Sequence, residues 1–248
     1  MKVIYILWLR QLKRFIRARS RIVGAIGQPL LFLLALGYGL GSVYKRAGQG
    51  NYLEFLVPGI MAQTVLFAAM FYGAMIMWDK QFGFLKETLV APVSRLKIMI
   101  GGALGGATTA VIQGVLVFII SLFLGFKVDN WGLLILALLI LCILSVAIAS
   151  FSSGIGSFVE DMQGFQAINQ FLVFPLFFLS GALYPLTFVP NWLKIIAACN
   201  PMSYAIDGMR DAMIGQTHYG MTKDFVVLII TAIVLIAFGA YRFKHIEA

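Results

Sequence analysis

Residues 78–97 read WDKQFGFLKETLVAPVSRLK and separate two apolar runs, each long enough to cross a lipid bilayer. Six of these residues are charged: Asp79, Lys80, Lys86, Glu87, Arg95 and Lys97. The spacing predicts a compact helix between Asp79 and Lys97. Because it joins two spans directly, this helix would transmit a push from a partner into the membrane as a rigid-body motion. The alternative is that the segment only carries charge that fixes the topology.

The composition is that of an integral membrane protein. Of 248 residues, 61% are hydrophobic and 12% are charged, with a mean hydropathy of +0.93, whereas a soluble domain carries about 25% charged residues. The net charge of +9 does not indicate nucleic-acid binding, because the Lys and Arg residues cluster beside apolar runs. We therefore expect one transmembrane domain over residues 1–248, with the lipid bilayer and no nucleic acid as partner.

Residues 1–21 predict an amphipathic helix that lies in the membrane interface. Its apolar side carries Ile4, Trp8, Leu12, Phe15 and Ile16. Its basic side carries Arg10, Lys13, Arg14, Arg17 and Arg21. The alternative is a solvated basic leader that only sets the topology.

Six apolar runs predict six transmembrane helices and hence an all-α, polytopic membrane protein. They cover approximately residues 22–43, 55–78, 98–125, 131–155, 167–183 and 225–241. Residues 184–224, between the last two runs, contain three prolines among mixed apolar and polar residues. This composition is typical of short external helices that re-enter the membrane or lie on it.

Glycines predict close helix contacts in two spans. In the first span, a kink or a close contact is expected at Pro29, Gly37, Gly39 and Gly41. In the third span, two overlapping Gly-x-x-x-Gly pairs lie on adjacent helix faces and consist of Gly101, Gly102, Gly105 and Gly106. They predict packing residues that let another helix approach closely.

The distribution of basic residues predicts the orientation. Six spans place both termini on the same side of the membrane. Thirteen Lys and Arg residues then lie on the side of the termini and of residues 79–97, against six on the opposite side. By the positive-inside rule, the termini and residues 79–97 are cytoplasmic, and residues 184–224 are external.

The sequence contains no recognisable catalytic or metal-binding constellation. No Asp, Glu, His, Lys or Arg lies inside the six predicted spans, which disfavours an ion-coupled carrier. His218 and His245 lack partner residues and are interpreted as solvated, and Cys142 and Cys199 as unpaired packing residues. Because a phosphate-binding loop and an acidic cluster for magnesium are both missing, we expect no ATP hydrolysis and no bound cofactor in this chain.

Three motifs follow one another along nearly the whole chain. They are YLEFLVPG at residues 52–59, FLKETLVAPVSR at residues 84–95, and an external region with LSGALYPL at 179–186 and NPMSYAIDGMR at 200–210. In this order they resemble the membrane subunits of ABC transporters of the type-2 permease class, which includes daunorubicin-resistance-like and nodulation-factor-exporter-like members. The middle motif looks like the cytoplasmic coupling segment of that class, and residues 79–97 are called the coupling segment below.

The resemblance implies a half-transporter of the cell inner membrane that forms a homodimer on two copies of an ABC ATP-binding subunit. ATP and Mg²⁺ would bind in that partner subunit. The resemblance also implies that the N-terminal helix and the coupling segment contact the partner. The residues implied in this contact are Phe84, Lys86, Glu87, Leu89, Pro92, Arg95, Arg10, Arg14 and Arg17.

The leading hypothesis is an exporter permease that moves an amphipathic drug-like or lipid-like substrate out of the cytoplasm or the inner leaflet. We expect the path between two copies, lined by the second and fifth spans, because these offer aromatic surface and few charges. The candidate path residues are Thr64, Phe67, Phe71, Phe171, Phe174 and Phe178. One alternative is export of a lipid-linked glycan or polysaccharide. An alternative of another class is a structural or assembly membrane protein without transport.

Overall fold

The computed structural model describes residues 2–47, 50–90 and 92–246, except the side chains of Arg19, Arg21, Lys86 and Leu89. Within these ranges the chain forms eleven α-helices and no β-strand, which confirms the all-α prediction. The helices are α1 (Lys2–Arg17), α2 (Arg19–Phe32), α3 (Gly39–Arg46), α4 (Tyr52–Gln81), α5 (Phe84–Val90), α6 (Arg95–Phe123), α7 (Leu134–Phe158), α8 (Met162–Phe178), α9 (Asn191–Cys199), α10 (Pro201–Ile214) and α11 (Met221–Lys244). A π-helical segment, Leu33–Tyr38, joins α2 to α3, and 3₁₀ turns cover Trp131–Leu133 and Leu186–Phe188.

Five helical segments within the described ranges are long and apolar enough to cross a membrane. They are Ile22–Arg46, Tyr52–Gln81, Arg95–Phe123, Trp131–Phe158 and Met221–Lys244. Four of them cover a predicted span completely and extend beyond it at one end or both, whereas Arg95–Phe123 begins three residues before the predicted span 98–125 and ends two residues before its end. The N-terminal helix is shorter than expected, because α1 ends at Arg17 and the chain from Arg19 onward belongs to the first of these segments.

The predicted span at residues 167–183 corresponds to α8, which has 17 residues and ends at Phe178. At about 1.5 Å per residue, it is roughly 26 Å long, slightly less than the ~30 Å hydrocarbon core of a bilayer. It ends before residue 183 because the Asn200 side chain donates a hydrogen bond of 2.7 Å to the Leu176 carbonyl, and Gly181 then turns the chain with a φ of 74°. The sixth transmembrane helix stays a prediction.

The first span contains the irregularity predicted from Pro29. Pro29 lies inside α2, and the backbone changes to π-helical hydrogen bonding shortly after it. In the π-helical segment, a Cβ at Gly37 would lie 2.8 Å from the Leu53 Cδ1 atom of α4. A Cβ at Gly39 or Gly41 would meet no atom within 4 Å in the described part of the chain. Of these three glycines, only Gly37 therefore makes the predicted close contact.

Helix α4 lies at the centre of the fold. Its most apolar 18-residue stretch is 83% buried, against 22% for the corresponding stretch of α11. The helix packs against both α6 and α7. The approach to α7 is close because a Cβ at Gly156 would lie 2.6 Å from the Gly73 carbonyl oxygen. The Gly73 amide also donates a hydrogen bond of 2.9 Å to the Ser152 hydroxyl, a combination of small and polar residues that is typical of packed membrane helices.

Residues 184–224 form short helices, as predicted. Of these, α10 packs against α4, α7 and α11, and every residue from Met202 to Arg210 is buried. The Asn200 side chain caps α10 by accepting a hydrogen bond of 3.0 Å from the Met202 amide. Gly215 ends the helix in the left-handed conformation. Helix α10 therefore lies inside the helix bundle instead of on a membrane surface.

Candidate functional site

Helix α1 lies along α6, where two glycines allow the backbones to approach. A Cβ at Gly101 would lie 3.0 Å from the Ile4 Cα, and a Cβ at Gly105 would lie 2.6 Å from a side-chain atom of α1. In the same contact, the Trp8 indole donates a hydrogen bond of 2.9 Å to the Thr108 hydroxyl. The predicted close approach of another helix to α6 is confirmed here, and that helix is the N-terminal one.

The second glycine pair of α6 faces α4. A Cβ at Gly106 would lie 2.8 Å from the Tyr72 Cβ, and a Cβ at Gly102 would overlap the Tyr72 hydroxyl. The two overlapping pairs therefore serve two neighbours, α1 on one face and α4 on the adjacent face. Since larger residues would separate these helices, the glycines hold α1, α6 and α4 as one packed unit.

Asp79 links α1 and α4 directly. It lies in the last turn of α4, and its carboxylate forms ion pairs of 3.2 Å with both Arg10 and Arg14 of α1. The Asp79 side chain is 12% exposed, and the arginines are 35% and 38% exposed, so solvent partly screens the cluster. The sequence analysis assigned both arginines to a partner subunit and gave Asp79 no role. Arg17, the third arginine of that prediction, is exposed.

The coupling segment is not one helix. Helix α4 continues to Gln81, Gly83 turns the chain with a φ of 78°, and α5 covers only Phe84–Val90. Glycine adopts a positive φ without strain, so Gly83 separates α5 from α4. The predicted compact helix between Asp79 and Lys97 is therefore wrong in its bounds, although a short helix within the segment is confirmed.

Helix α5 and its flanks present apolar side chains at the surface. Phe82, Phe84 and Val90 are 73%, 49% and 85% exposed, whereas Leu85 is 5% exposed and anchors α5 on the bundle. The other predicted coupling residues of this segment divide as follows: Glu87, Pro92 and Arg95 are exposed, and the side chains of Lys86 and Leu89 lie outside the described part of the chain. Large exposed apolar groups of this kind are typical of a partner-binding surface.

Arg95, at the start of α6, holds the end of α11. Its guanidinium donates hydrogen bonds of 2.9 Å to the carbonyl oxygens of Lys244 and Ile246. The Ile246 side chain is 1% exposed, so this end of the chain is packed against the bundle. α1, the end of α4, α5, the start of α6 and the end of α11 thus lie together, and this part of the molecule is called the α1 end below.

A cavity of about 430 Å³ lies between α1, α2, α4, α6 and α8. Three of the six predicted path residues line it, namely Thr64, Phe67 and Phe71. The volume is within the range of about 300–1,000 Å³ that is typical of small-molecule sites. The structure thus brings half of the predicted path residues to one cavity.

The other three predicted path residues, all on α8, lie outside the cavity lining. Phe174 contacts the Phe67 ring edge to face at 5.8 Å between centroids, and Phe178 stacks on Phe174 at 6.1 Å. Both are 41% exposed, so a half-exposed aromatic strip leads away from the cavity. Phe171 is 81% exposed and does not join this strip by any ring contact that the described structure records.

The sequence analysis missed the polar side chains of the cavity. Five amide side chains line it: Gln11, Gln28, Gln63, Gln113 and Asn169. Among the described lining residues there is no Asp, Glu, Lys or Arg. The available signal was the occurrence of Gln63, Gln113 and Asn169 inside predicted spans, where polar residues are costly and commonly functional.

Arg210 lies near the first turn of α4, far from Asp79 along that helix, and is buried. It donates hydrogen bonds of 3.1, 3.0 and 3.0 Å to the carbonyl oxygens of Phe55, Gly181 and Ala182, and its guanidinium lies 3.6 Å from the centroid of the Phe55 ring. Burial lowers the pKa of Arg210 to about 10, which the charge of Asp207 partly opposes. Arg210 therefore remains charged at neutral pH and joins α10 to α4. The sequence analysis counted it only as an external charge.

These features define a class of protein. The chain is a multi-pass, all-helical membrane protein with a polar-lined cavity, and its N-terminal helix and a charged loop meet at one end of the bundle. Within residues 2–47, 50–90 and 92–246, no group of three or more His, Cys, Asp or Glu residues is arranged as metal ligands. Such an architecture suits the binding and movement of a substrate across a membrane.

The family model described as ABC-2 type transporter matches residues 2–214, and the chain belongs to this family. It is therefore the membrane transport subunit of an ABC transporter. Family membership implies an ATP-binding partner subunit in general, and the permeases of the family are transport subunits and not the ATPases themselves. The resemblance inferred from the three motifs is confirmed.

Individual relatives cover most of the chain. It is 32% identical over 206 residues to the transport permease ycf38 of Cyanophora paradoxa, across 79% of this chain and 70% of the relative. It is 28% identical over 232 residues to the inner membrane transport permease YadH of Escherichia coli strain K12, across 90% and 88%. It is 27% identical over 219 residues to nodulation protein J of Rhizobium leguminosarum bv. viciae, across 85% and 84%.

Proposed function

We propose that this chain is the membrane subunit of an ATP-driven exporter. Two copies form a homodimer, and each binds one ATP-binding subunit at the α1 end, where the partner supplies ATP and Mg²⁺. The dimer lies in the inner membrane with both termini and the coupling segment in the cytoplasm. It moves an amphipathic drug-like or lipid-like substrate out of the cytoplasm or the inner leaflet. Family membership and the name of the permease relative YadH support this proposal.

The observation that carries the proposal is the exposed apolar surface formed by Phe82, Phe84 and Val90. In a cytoplasmic loop, covering such side chains with a partner lowers the free energy, because apolar surface is removed from water. Leu85 anchors α5 on the bundle, and the Asp79 cluster joins the neighbouring turn of α4 to α1. A movement of the partner against α5 would therefore reach α4 and α1 together, as one rigid body.

The proposed orientation rests on charge. α1 and the coupling segment contain most of the basic residues that the positive-inside rule places in the cytoplasm. The Asp79 cluster neutralises only one positive charge of the Arg10–Arg14 pair. One of these two positive charges remains unneutralised, so the α1 end has a net positive charge there, as expected for the cytoplasmic side.

A second candidate function is export of a lipid-linked glycan or polysaccharide. The five amide side chains of the cavity favour it, because amides donate and accept hydrogen bonds with hydroxyl groups. A purely apolar, drug-like substrate would leave the amide oxygens of Gln63 and Asn169 without partners, at a cost in free energy.

The test is complex formation with a candidate ABC ATP-binding subunit from the same organism. Wild type, Phe84→Ala with Glu87→Ala, and a control variant Lys127→Ala are reconstituted in lipid, and vanadate-sensitive ATP hydrolysis and binding are measured. Lys127 is exposed in the loop at the far end of α6. We expect the double variant to weaken the complex at least about tenfold, since central interface residues contribute about 1–2 kcal/mol or more. If wild type binds no ATP-binding subunit, or the double variant binds like the control, the proposed coupling surface is refuted.

A further inference from the structure

We propose that the cavity binds the neutral, hydroxyl-bearing head group of a membrane lipid, and that Gln63 and Asn169 determine this specificity. This inference rests on the proposed function, because the bound lipid would be the substrate that the exporter takes from the bilayer. It names the chemical class of that substrate more narrowly than drug-like or lipid-like.

The lining of the cavity carries no formal charge among its described residues. None of the described residues that line the cavity is an Asp, Glu, His, Lys or Arg, and its polar groups are amides, the threonine hydroxyls and the Tyr72 phenol. A charged head group would lose hydration on entering and gain no opposite charge from the lining residues, which is costly in a site of low dielectric constant. Arg14, which lies 4.0 Å from the sulfur of the lining residue Met75, is already paired with Asp79. The lining therefore selects a neutral head group.

Two amide oxygens of the cavity have no hydrogen-bond partner in the described structure. Gln63 is 4% exposed, and its Oε1 atom and the Asn169 Oδ1 atom are buried without a hydrogen-bond partner in the described structure. Other polar groups of the lining are occupied: the Thr64 hydroxyl donates to the Ile60 carbonyl at 2.8 Å, and the Gln113 amide donates to the Thr109 carbonyl at 3.2 Å.

Buried acceptors are nearly always paired in folded proteins. The two free amide oxygens are therefore interpreted as the acceptors for a ligand. They require donors, and an uncharged lipid head group donates through hydroxyl groups. Their positions on α4 and α8 mean that a single head group could join the two helices.

Two exposed residues of α2 form part of the cavity wall. Gly24 and Gln28 of α2 line the cavity and are exposed, and both belong to the first candidate membrane span. The cavity is therefore open on the side of α2, and with this helix in the bilayer the hydroxyl compounds that reach this side are lipids. The half-exposed aromatic strip from Phe67 through Phe174 to Phe178 continues from the cavity and offers an apolar surface to an acyl chain.

The test is competitive lipid retention by the full-length homodimer, measured by native mass spectrometry. The protein in mild detergent is incubated with equal amounts of monoglucosyl diacylglycerol and phosphatidylglycerol that carry the same acyl chains. We expect wild type to retain the glucosyl lipid at least about tenfold better, since loss of charge pairing penalises the anionic lipid. Equal retention of both lipids would overturn the assignment of a neutral head group.

Variants test the two amides. We expect Gln63→Leu with Asn169→Leu to lower retention of the glucosyl lipid about 25-fold, or about fivefold for each hydrogen bond. The control Gln170→Leu changes an exposed amide of the same helix that does not line the cavity, and it should retain the lipid like wild type. Unchanged retention in the double variant would place the lipid elsewhere and overturn the proposal.

Stability measurements separate a ligand role from a structural role. Gln63→Leu removes a buried, unpaired acceptor, so we expect an unchanged or higher melting temperature. The single variant Asn169→Leu, at a half-buried position, provides an independent test of retention. A marked loss of stability in both variants, or conversion of the dimer to monomers in the same spectra, would show that these amides serve folding or the subunit contact and would overturn the proposal.

Two further measurements distinguish a lipid from a free sugar as the ligand, and failure of this inference from failure of the proposed function. An excess of free methyl glucoside should not displace the glucosyl lipid, and displacement would assign the site to free sugars instead of lipids. The double variant should still bind the ATP-binding subunit, because Gln63 lies on α4 and Asn169 on α8, and neither belongs to the coupling segment. If wild type binds that subunit but no glucosyl lipid, only this inference fails, whereas failure to bind the subunit refutes the proposed function.

Discussion

Replacing Asp79 by Asn should release α1 from the end of α4. The substitution keeps the size of the side chain but removes the charge that Arg10 and Arg14 contact at 3.2 Å. Exposed ion pairs contribute about 0–1 kcal/mol, and buried charge-assisted hydrogen bonds about 1.5–3 kcal/mol. Because the arginines are 35% and 38% exposed, solvent screening places each pair near the lower range. We expect a loss of about 1–2 kcal/mol in the docking of α1.

Hydrogen exchange measured by mass spectrometry tests this magnitude. A loss of about 1.4 kcal/mol raises the population of undocked α1 about tenfold, so its amides should exchange about tenfold faster. Amides near the start of α11, around Met221, should be unaffected. In a variant that already carries Arg10→Gln and Arg14→Gln, Asp79→Asn should have little further effect, since the interaction is already gone. If the α1 amides of the Asp79→Asn variant exchange as slowly as those of wild type, the ion pairs of Asp79 do not hold α1 on α4.

Three further predictions concern packing, burial and the path. Gly105→Leu should force α1 away from α6 and expose it to proteolysis, whereas Gly41→Leu, where a Cβ meets no described atom within 4 Å, should be cleaved like wild type. Arg210→Met should lower the free energy of unfolding in detergent by about 3 kcal/mol, roughly 1 kcal/mol for each carbonyl left unpaired, and wild-type thermal stability would contradict this. Phe67→Ala with Phe174→Ala should reduce export severalfold, and unchanged export of every wild-type substrate would exclude these residues from the path.

The long helices and the positions at which another helix approaches α6 could be predicted from local features of the sequence. Apolar runs longer than about 20 residues define membrane spans regardless of their neighbours, and the five long segments follow them. The glycine pairs of the third span also predict a close helix contact without knowledge of the fold, because a residue without a side chain leaves room for a neighbouring helix. Which helix fills that room is a property of the fold, and α1 was not expected at Gly101 and Gly105.

The pairing of charges and the cavity could not be predicted, because periodicity identifies the faces of a helix but not their partners. Arg14 and Asp79 are 65 positions apart, and nothing in the sequence distinguishes this pair from contacts to another subunit. In the sequence, Arg210 is indistinguishable from a charged loop residue, and only the fold brings three backbone carbonyls to its guanidinium. The end of α8 likewise depends on Asn200, which lies 24 positions beyond the carbonyl it binds.

The hydrogen bonds from Arg95 to the carbonyls of Lys244 and Ile246 have a practical consequence for handling the protein. They hold the last described residues beside the coupling segment, and the packing of Ile4 on Gly101 brings the first helix to the same region. An affinity tag or fluorescent protein fused at either end would crowd the proposed docking surface and imitate an uncoupled mutant. The exposed loop at Lys127 follows α6, a helix of 29 residues, so an internal tag there would lie about 40 Å away.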